Sequence, residues 1–509
     1  MARRLLTSVD PVQHTHYGFT YFRMKTLRSS SPTQRSESCA SDSRSDTDSD
    51  HVDQDTAPNA GPSPRPGDSQ SLVLSQAVPN RIPLEVYEET INWMDSSGAL
   101  ACAALVCAAW YPRAARNIYF SIHINTRASF DLLVKQLLTS PRVKRWLSTT
   151  RELFASDNEY VNLRRQGKTR RDFVHALPLV FGRALSGLRT LEMRTDLLPA
   201  TPPTFFVALT QLKTLKSLSL RNLTLSSVAQ LRWIVSSFTG LKELTLYNCS
   251  LRHPASLAQA GVIIPQLGPM LLRRLEVDVA NVIERFESMA DWLAYSATCV
   301  SLHELKVWWP ANASLSDSVE VTARSVDGLL RAAGSSLRRF CEVSDYAIGR
   351  VSHGNLMHNR NLRYLECGTS GMQGGDMLAA LKAMVGELHN VFSTIRSHQV
   401  EHIKLGPRLP VNVGLPVPHG ELGPLLERLE LQDLHAVMSQ PFFDGLQAVE
   451  FVLPAYSQRG EEAVSRARRS IRELAPVVRG ILRPWEACGV LTLHTTLFCD
   501  PSDIVEDLV

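Results

Sequence analysis

Three short runs in this chain hold residue types that could do chemistry. Gly167-Lys168-Thr169 has the ending of a phosphate-cradling loop, where backbone N–H groups and a lysine would hold phosphate oxygens and a hydroxyl would hold magnesium. Such a loop needs a first glycine at position 162, and Asn162 stands there. Gly368-Thr369-Ser370-Gly371 sets a serine beside glycines, as a nucleophile elbow does, but falls one residue short of that turn. His398 and His402 lie four apart, the spacing of two zinc ligands on one helical face. No glutamate follows His398, and the segment leads into a strand-like pattern. None of the three runs is complete, so neither catalysis nor a cofactor is expected.

The nine cysteines run from Cys39 to Cys499 with no C-x-x-C pair. An odd count without zinc spacing predicts reduced thiols, and hence the cytoplasm or the nucleus. The chain has 509 residues, 44% of them hydrophobic, and a net charge of +4. That length allows two or three domains with a large core. The near-balance of charge predicts no general attraction to nucleic acid or to anionic membranes. No apolar run reaches the roughly 18 residues that span a bilayer, and the opening Met1-Ala-Arg-Arg-Leu-Leu lacks the sustained apolar stretch of a signal peptide.

Positioning elements begin late. Residues 1–78 are predicted to be a disordered tail, because Ser29 to Gln76 is Ser, Asp, Pro and Gly with few large apolar residues to offset the entropy of ordering. Within it, Ser36 to Asp55 alternates serine with aspartate. Ser43 and Thr47 each have an aspartate three residues on, a spacing that suits an acidophilic kinase. A solvated tail is the plainer expectation. Basic residues gather from Arg142 to Arg171, including Arg164, Arg165, Lys168, Arg170 and Arg171. Few aromatics interleave them, so a solvated linker is expected before a nuclear-import signal or a nucleic-acid contact.

From Arg81 the pattern changes. Pro83 stands where a helix begins, and Val86, Tyr87, Ile91 and Met94 recur on one helical face. Asp95-Ser96-Ser97-Gly98 breaks the chain. A second helix is predicted from Ala99 to about Trp110, limited by Pro112, and Ile118 to Ile124 alternates like a strand. Ile82-Pro83-x-Glu85-Val86, a break, then Leu105-Val106-Cys107-x-x-Trp110 resembles the F-box, especially the fungal type. The first residue is Ile rather than the usual Leu, and Ala101 to Ala104 is rich in small residues. The resemblance spans 79–124 and implies a small helical module that docks the Skp-type linker of a cullin–RING ubiquitin ligase. It implies Ile82, Pro83, Val86, Leu105, Val106 and Trp110 as the docking positions, although Val86 and Trp110 could equally fill the module's own core.

A second pattern returns from Leu188: an apolar residue, two variable ones, an apolar, a variable and an apolar. It reads Leu188-Arg-Thr-Leu191-Glu-Met193, and again from Leu215, Leu241, Leu272, Leu302, Leu362, Val400, Leu426 and Leu446. A degraded copy starts at Leu337, with Glu342 in an apolar slot. Start-to-start spacings run from 20 to 38 residues. These copies resemble leucine-rich repeats (LRRs) with insertions, although most lack the usual asparagine; Cys249 fits the cysteine-type variant. Helices are predicted between copies, at Ser226–Phe238, Ile283–Leu293 and Met377–Ile395. One strand and one helix cannot bury their own apolar faces, whereas stacked copies can.

The fold class expected is therefore α/β: an all-helical F-box module, a linker or first irregular repeat over 125–180, an irregular leucine-rich-repeat solenoid with a parallel concave sheet over 181–500, and an acidic tail over 501–509. An arginine-rich helix near Glu461–Arg483 would cap the solenoid. Strand alternation sends the third, fifth and seventh positions of each copy outward together. Tyr247, Trp308 and Tyr364 are rigid anchors on that face, with Glu276, Arg274 and Arg428 as charged candidates for contact with a target protein. The function expected is a substrate-recognition adaptor joining an unidentified protein to the ligase and contributing no catalytic residue. A non-degradative scaffold is the alternative, with a nucleic-acid-associated repeat protein third. The inserts His253–Met270 and Pro407–Pro424 would tune specificity.

Overall fold

A computed structural model describes residues 83–156, 173–194, 203–251, 271–279, 283–309, 316–344, 353–369, 377–406, 422–456, 461–498 and 504–508. Two compact units divide the chain, Met1–Tyr87 and Glu88–Val509. The tail over 1–78, Ile82, the basic residues from Arg164 to Arg171, the run at 167–169 and most of the two inserts lie outside the described residues.

Of the first unit, residues 83–87 are described. Pro83 precedes helix α1 (Leu84–Asn92) and its carbonyl accepts from the Val86 N–H at 3.0 Å. The remaining turns of α1 belong to the second unit, with α2 (Ser97–Val106) and α3 (Tyr111–Ile118). Ser96 caps α2 by accepting from the Ala99 N–H, and Cys107 ends it in extended conformation. The single helix expected over Ala99–Trp110 is thus corrected to a shorter helix, a turn and a third helix. Pro112 sits in the first turn of α3, where a missing N–H costs nothing, so it starts a helix instead of limiting one. Ile91, Leu100, Ala103 and Ala114 form a small core, with Met94, Trp110 and Ile118 packed against it. Asn117 Nδ2 donates to the Ile91 carbonyl at 3.2 Å, and Arg113 Nε donates to Asn92 Oδ1 at 2.7 Å. The small buried alanines let α2 and α3 approach closely.

Strands then follow in regular succession: β1 (Ser121–Ile124), β2 (Glu152–Ser156), β3 (Thr190–Arg194), β4 (Ser217–Arg221), β5 (Thr224–Leu225), β6 (Glu243–Tyr247), β7 (Ser250–Leu251) and β8 (Arg274–Asp278). They continue with β9 (Glu304–Trp309), β10 (Arg339–Ser344), β11 (Tyr364–Cys367), β12 (His402–Leu405), β13 (Ala448–Tyr456), β14 (Leu491–Phe498) and β15 (Ile504–Leu508). All but β5 and β7 join one 13-stranded sheet in chain order, parallel throughout except for antiparallel β15. β5 and β7 make a separate two-stranded parallel pair. The architecture is α/β.

Each copy of the repeated pattern except one begins a strand at its third position. Its fourth and sixth residues turn inward, as Leu191 and Met193 do in β3 and Leu218 and Leu220 in β4. These side chains join residues from the intervening helices in one continuous apolar core running from Ile124 to Leu493. Each fully buried leucine contributes about 1.5–3 kcal/mol of transfer free energy. The predicted helices appear as Val228–Ser236, capped by Ser227, Ile283–Tyr295 and Met377–Thr394.

The second position of each copy, variable in sequence, has a constant backbone role. The carbonyl of Arg189 accepts from both the Lys216 and Ser217 N–H groups, at 2.8 and 2.9 Å. The Lys216 carbonyl does the same for Lys242 and Glu243, and the ladder repeats through Arg273, His303, Arg338 and Arg363 to Glu401. One polar residue per copy therefore starts every strand, each beside the next.

The copy at Leu426 is a correction. Leu422–Arg428 is helical, Glu430 adopts a left-handed φ of 52°, and Gln432–Met438 is a second helix. The spacing of Leu426 and Leu429 serves a helical face as well as an LRR strand. β1 falls within the strand expected over Ile118–Ile124 and β14 within the span expected for the repeats, whereas β2 arises where a linker or first irregular repeat was expected and β15 where an acidic tail was expected. The helix Glu461–Ile481 is present and β14 follows it.

Candidate functional site

The helical module buries one set of apolar residues and leaves another in solvent. In the first unit Pro83, Leu84 and Val86 are exposed, Val86 at 52%. In the second, Leu105 is 82% exposed, Val106 62% and Trp93 77%. Four of the six predicted docking residues, Pro83, Val86, Leu105 and Val106, are thus exposed. Trp110 is half-buried against the small core and supports the module from within; Ile82 is outside the described residues. Leu84 and Trp93 were not singled out in the sequence. Leu84 opens α1 and Trp93 follows its last residue, Asn92. Leu105 and Val106 occupy the last turn of α2, and no described contact covers them. Large aliphatic side chains left in water on so small a helix set mark an interaction surface.

The second candidate is the sheet's polar face. The fifth positions form one in-register row, Glu192, Ser219, Thr245, Glu276, Lys306, Cys341, Glu366, Lys404 and Glu450. Trp308 lies here, its indole Nε1 donating to Glu276 Oε1 at 2.8 Å, with Tyr247 edge-on at 6.0 Å between ring centroids. Lys306 Nζ stands 4.3 Å from the Trp308 ring and Arg339 stands 4.0 Å from the Tyr364 ring. Arg274 pairs with Glu304 at 3.6 Å and with Glu276 at 3.9 Å, and Lys404 with Glu366 at 3.2 Å. Burial first, and then Glu366, push the Tyr364 phenol well above its ordinary pKa. Five of the six predicted face residues therefore share this surface, each engaged with a neighbour. Arg428 does not join them, because it ends an exposed turn of the Leu422–Arg428 helix.

Glu342, the residue out of place in its apolar slot, turns inward on β10 and is buried. Its carboxylate meets His353 Nδ1 at 2.6 Å and accepts the Gly354 N–H at 3.4 Å. Glu387, from the helix Met377–Thr394, lies 3.7 Å from His353 Nε2. Burial alone would lower the imidazole pKa, but the two carboxylates outweigh it, Glu342 foremost, and raise it to about 10. The cluster carries a buried imidazolium, and sequence inspection found only one of its three members.

No group of His, Cys, Asp and Glu among the described residues could hold a metal ion. His398 stacks beside Phe442 at 4.7 Å, and His402 lies exposed on β12, so the two share no helical face. No helix among the described residues is long and apolar enough to cross a membrane. A scan against protein-family models gives no match to this chain, and a search of curated proteins gives none either.

Proposed function

We propose that this chain is a substrate-recognition adaptor of a cullin–RING ubiquitin ligase, an F-box module followed by a leucine-rich-repeat solenoid. In this role α1–α3 dock a Skp-type linker and the polar sheet face holds a target protein. The adaptor contributes no catalytic residue; it raises the effective concentration of target lysines near a charged conjugating enzyme. The observation that carries the proposal is the exposure of Leu105 and Val106 at the end of a helix whose opposite side, Leu100 and Ala103, is buried. Parallel strands laid down in chain order, with helices in most connections, support the solenoid. Cytoplasm and nucleus are the compartments where such a ligase works.

Co-purification of the full chain with the linker and cullin tests the proposal. Leu105→Asp with Val106→Asp should abolish the association while leaving circular dichroism unchanged, because both side chains are in solvent. A wild-type chain that fails to bind the linker overturns it. A chain that gathers partners without cullin, and whose partners keep their abundance when residues 81–124 are deleted, is a non-degradative scaffold instead.

A further inference from the structure

The backbone ladder that starts the strands has a consequence for charge. Its successive residues are Arg189, Lys216, Lys242, Arg273, His303 and Arg338, from six consecutive strands of the large sheet. Each N–H bonds directly to the carbonyl of the residue before it, so their Cα atoms lie at the strand spacing of roughly 4.8 Å. Arg189, Lys216, Arg273 and Arg338 are exposed, and Lys242 and His303 are partly so. None of the four arginines and lysines from Arg189 to Arg273, nor Arg338, pairs with a carboxylate among the described residues. The cations of the polar face behave otherwise, since Arg274, Lys306 and Arg339 each have an acidic neighbour within 4 Å.

Like charges set side by side on neighbouring strands repel and destabilise a sheet. His303 registers that field: burial first, then Arg338 and Arg273 on either side, hold its pKa below the ordinary value. A net charge of only +4 on the whole chain makes this local concentration distinctive. We propose that the row from Arg189 to Arg338 is a docking stripe for an extended acidic protein segment, rich in Asp, Glu or phosphorylated side chains. The stripe is a single line of charge. The positions beside it, such as Thr190, Ser217 and Glu243, offer no aromatic platform on which unpaired bases would stack. An extended peptide laid across the strand starts can meet successive cations with alternate side chains, charge against charge. The stripe includes no residue of α1–α3, and its existence does not depend on ligase assembly.

Fluorescence anisotropy of a labelled poly-glutamate peptide with the full chain tests this. Binding should weaken by at least about tenfold in Lys216→Glu with Lys242→Glu, and equally in Arg273→Glu with Arg338→Glu. It should also fall steeply as salt shortens the screening length. Arg428→Glu, an exposed charge elsewhere, should leave binding unchanged. None of the altered side chains makes a described hydrogen bond or ion pair, and Lys216→Gln with Lys242→Gln, which removes charge without reversing it, should give an intermediate loss. Absence of peptide binding at low salt overturns the proposal, as does binding indifferent to the reversals. A single-stranded or duplex oligonucleotide that binds more tightly than the peptide and is lost in the same variants overturns it in favour of nucleic acid.

Discussion

Asn248 Nδ2 donates to Asn222 Oδ1 at 2.7 Å, joining the turns that follow β6 and β4. Both residues adopt left-handed backbone, with φ of 50° and 53°. Asparagine tolerates that region better than any branched residue, and here its amide also links one copy to the next. Cys249 follows, its thiol donating to the Leu220 carbonyl at 3.3 Å. Asn248→Ala should lower stability by about 2 kcal/mol, combining the cost of a left-handed alanine with a lost hydrogen bond. Asn248→Gly should lose only about 1 kcal/mol, because glycine removes the backbone penalty. Urea unfolding checks the order; equal losses would mean that backbone conformation does not contribute.

The small core of α1–α3 has few members, so each counts. Ile91 is 1% exposed at its centre. Ile91→Ala should cost about 2–5 kcal/mol within the module, while the large core from Ile124 to Leu493 is untouched. The expected outcome is early protease cleavage in 88–118 and loss of linker association, with the sheet still folded by circular dichroism. Resistance to protease equal to wild type would show that the module is held by something other than this core.

Among the described cysteines, Cys102, Cys107 and Cys488 are exposed and Cys249, Cys299, Cys341 and Cys367 are buried. Burial is the chief cause that pushes the thiols of Cys249, Cys299 and Cys341 up to about 12. At about pH 8 roughly one such thiol in ten thousand is ionised, and the thiolate is the nucleophile. Iodoacetamide on the native chain should label the exposed three and spare the buried four, as peptide mass spectrometry reads directly. Labelling of Cys341 would mean that the polar face opens between Arg339 and Glu366.

Much of this fold is legible in sequence because its core is periodic. Apolar residues at fixed offsets announce β3, β4, β6 and every strand from β8 to β13. The misses have physical causes. β2 and β14 carry no leading L-x-x-L signature, and β5 and β7 are only two residues long, too short to show a period. Leu426 and Leu429 satisfy helix and strand periods alike, and the continuation of the chain decided between them. The candidate docking residues were legible as a motif, but whether Trp110 faces solvent or core depends on α3, whose start Pro112 disguised. The basic stripe was in view, as Arg, Lys, Lys, Arg, His, Arg and Arg at one position of seven successive copies. It was passed over because that position looks variable when only apolar slots are read.

Glu342 in its apolar slot makes the stability of the sheet depend on a proton. His353 is bracketed by Glu342 from β10 and Glu387 from the helix Met377–Thr394. Asp327, from the helix Ser316–Ala333, accepts the Asn355 N–H at 2.6 Å, and burial holds its carboxyl above the usual range. Burial first, and then Glu342, keep the thiol of Cys367 on β11 neutral. The imidazole pKa is about 10 in the folded chain and about 6.5 when unfolded. A group raised on folding stabilises fully below its unfolded value, and that stability is lost as pH rises through the folded value. His123 and His303, whose pKa values are lowered, contribute in the opposite direction and only below about pH 6.5. Between about pH 7 and 8.5, therefore, unfolding should become easier by about 1.4 kcal/mol per pH unit through His353. Glu342→Gln removes the nearer carboxylate, so it should destabilise the chain near neutrality and flatten that slope. His353→Gln should abolish the same part of the slope. Urea midpoints measured across the interval decide the matter, and a wild-type midpoint constant from neutral to mildly alkaline pH would mean that His353 is not held as an imidazolium.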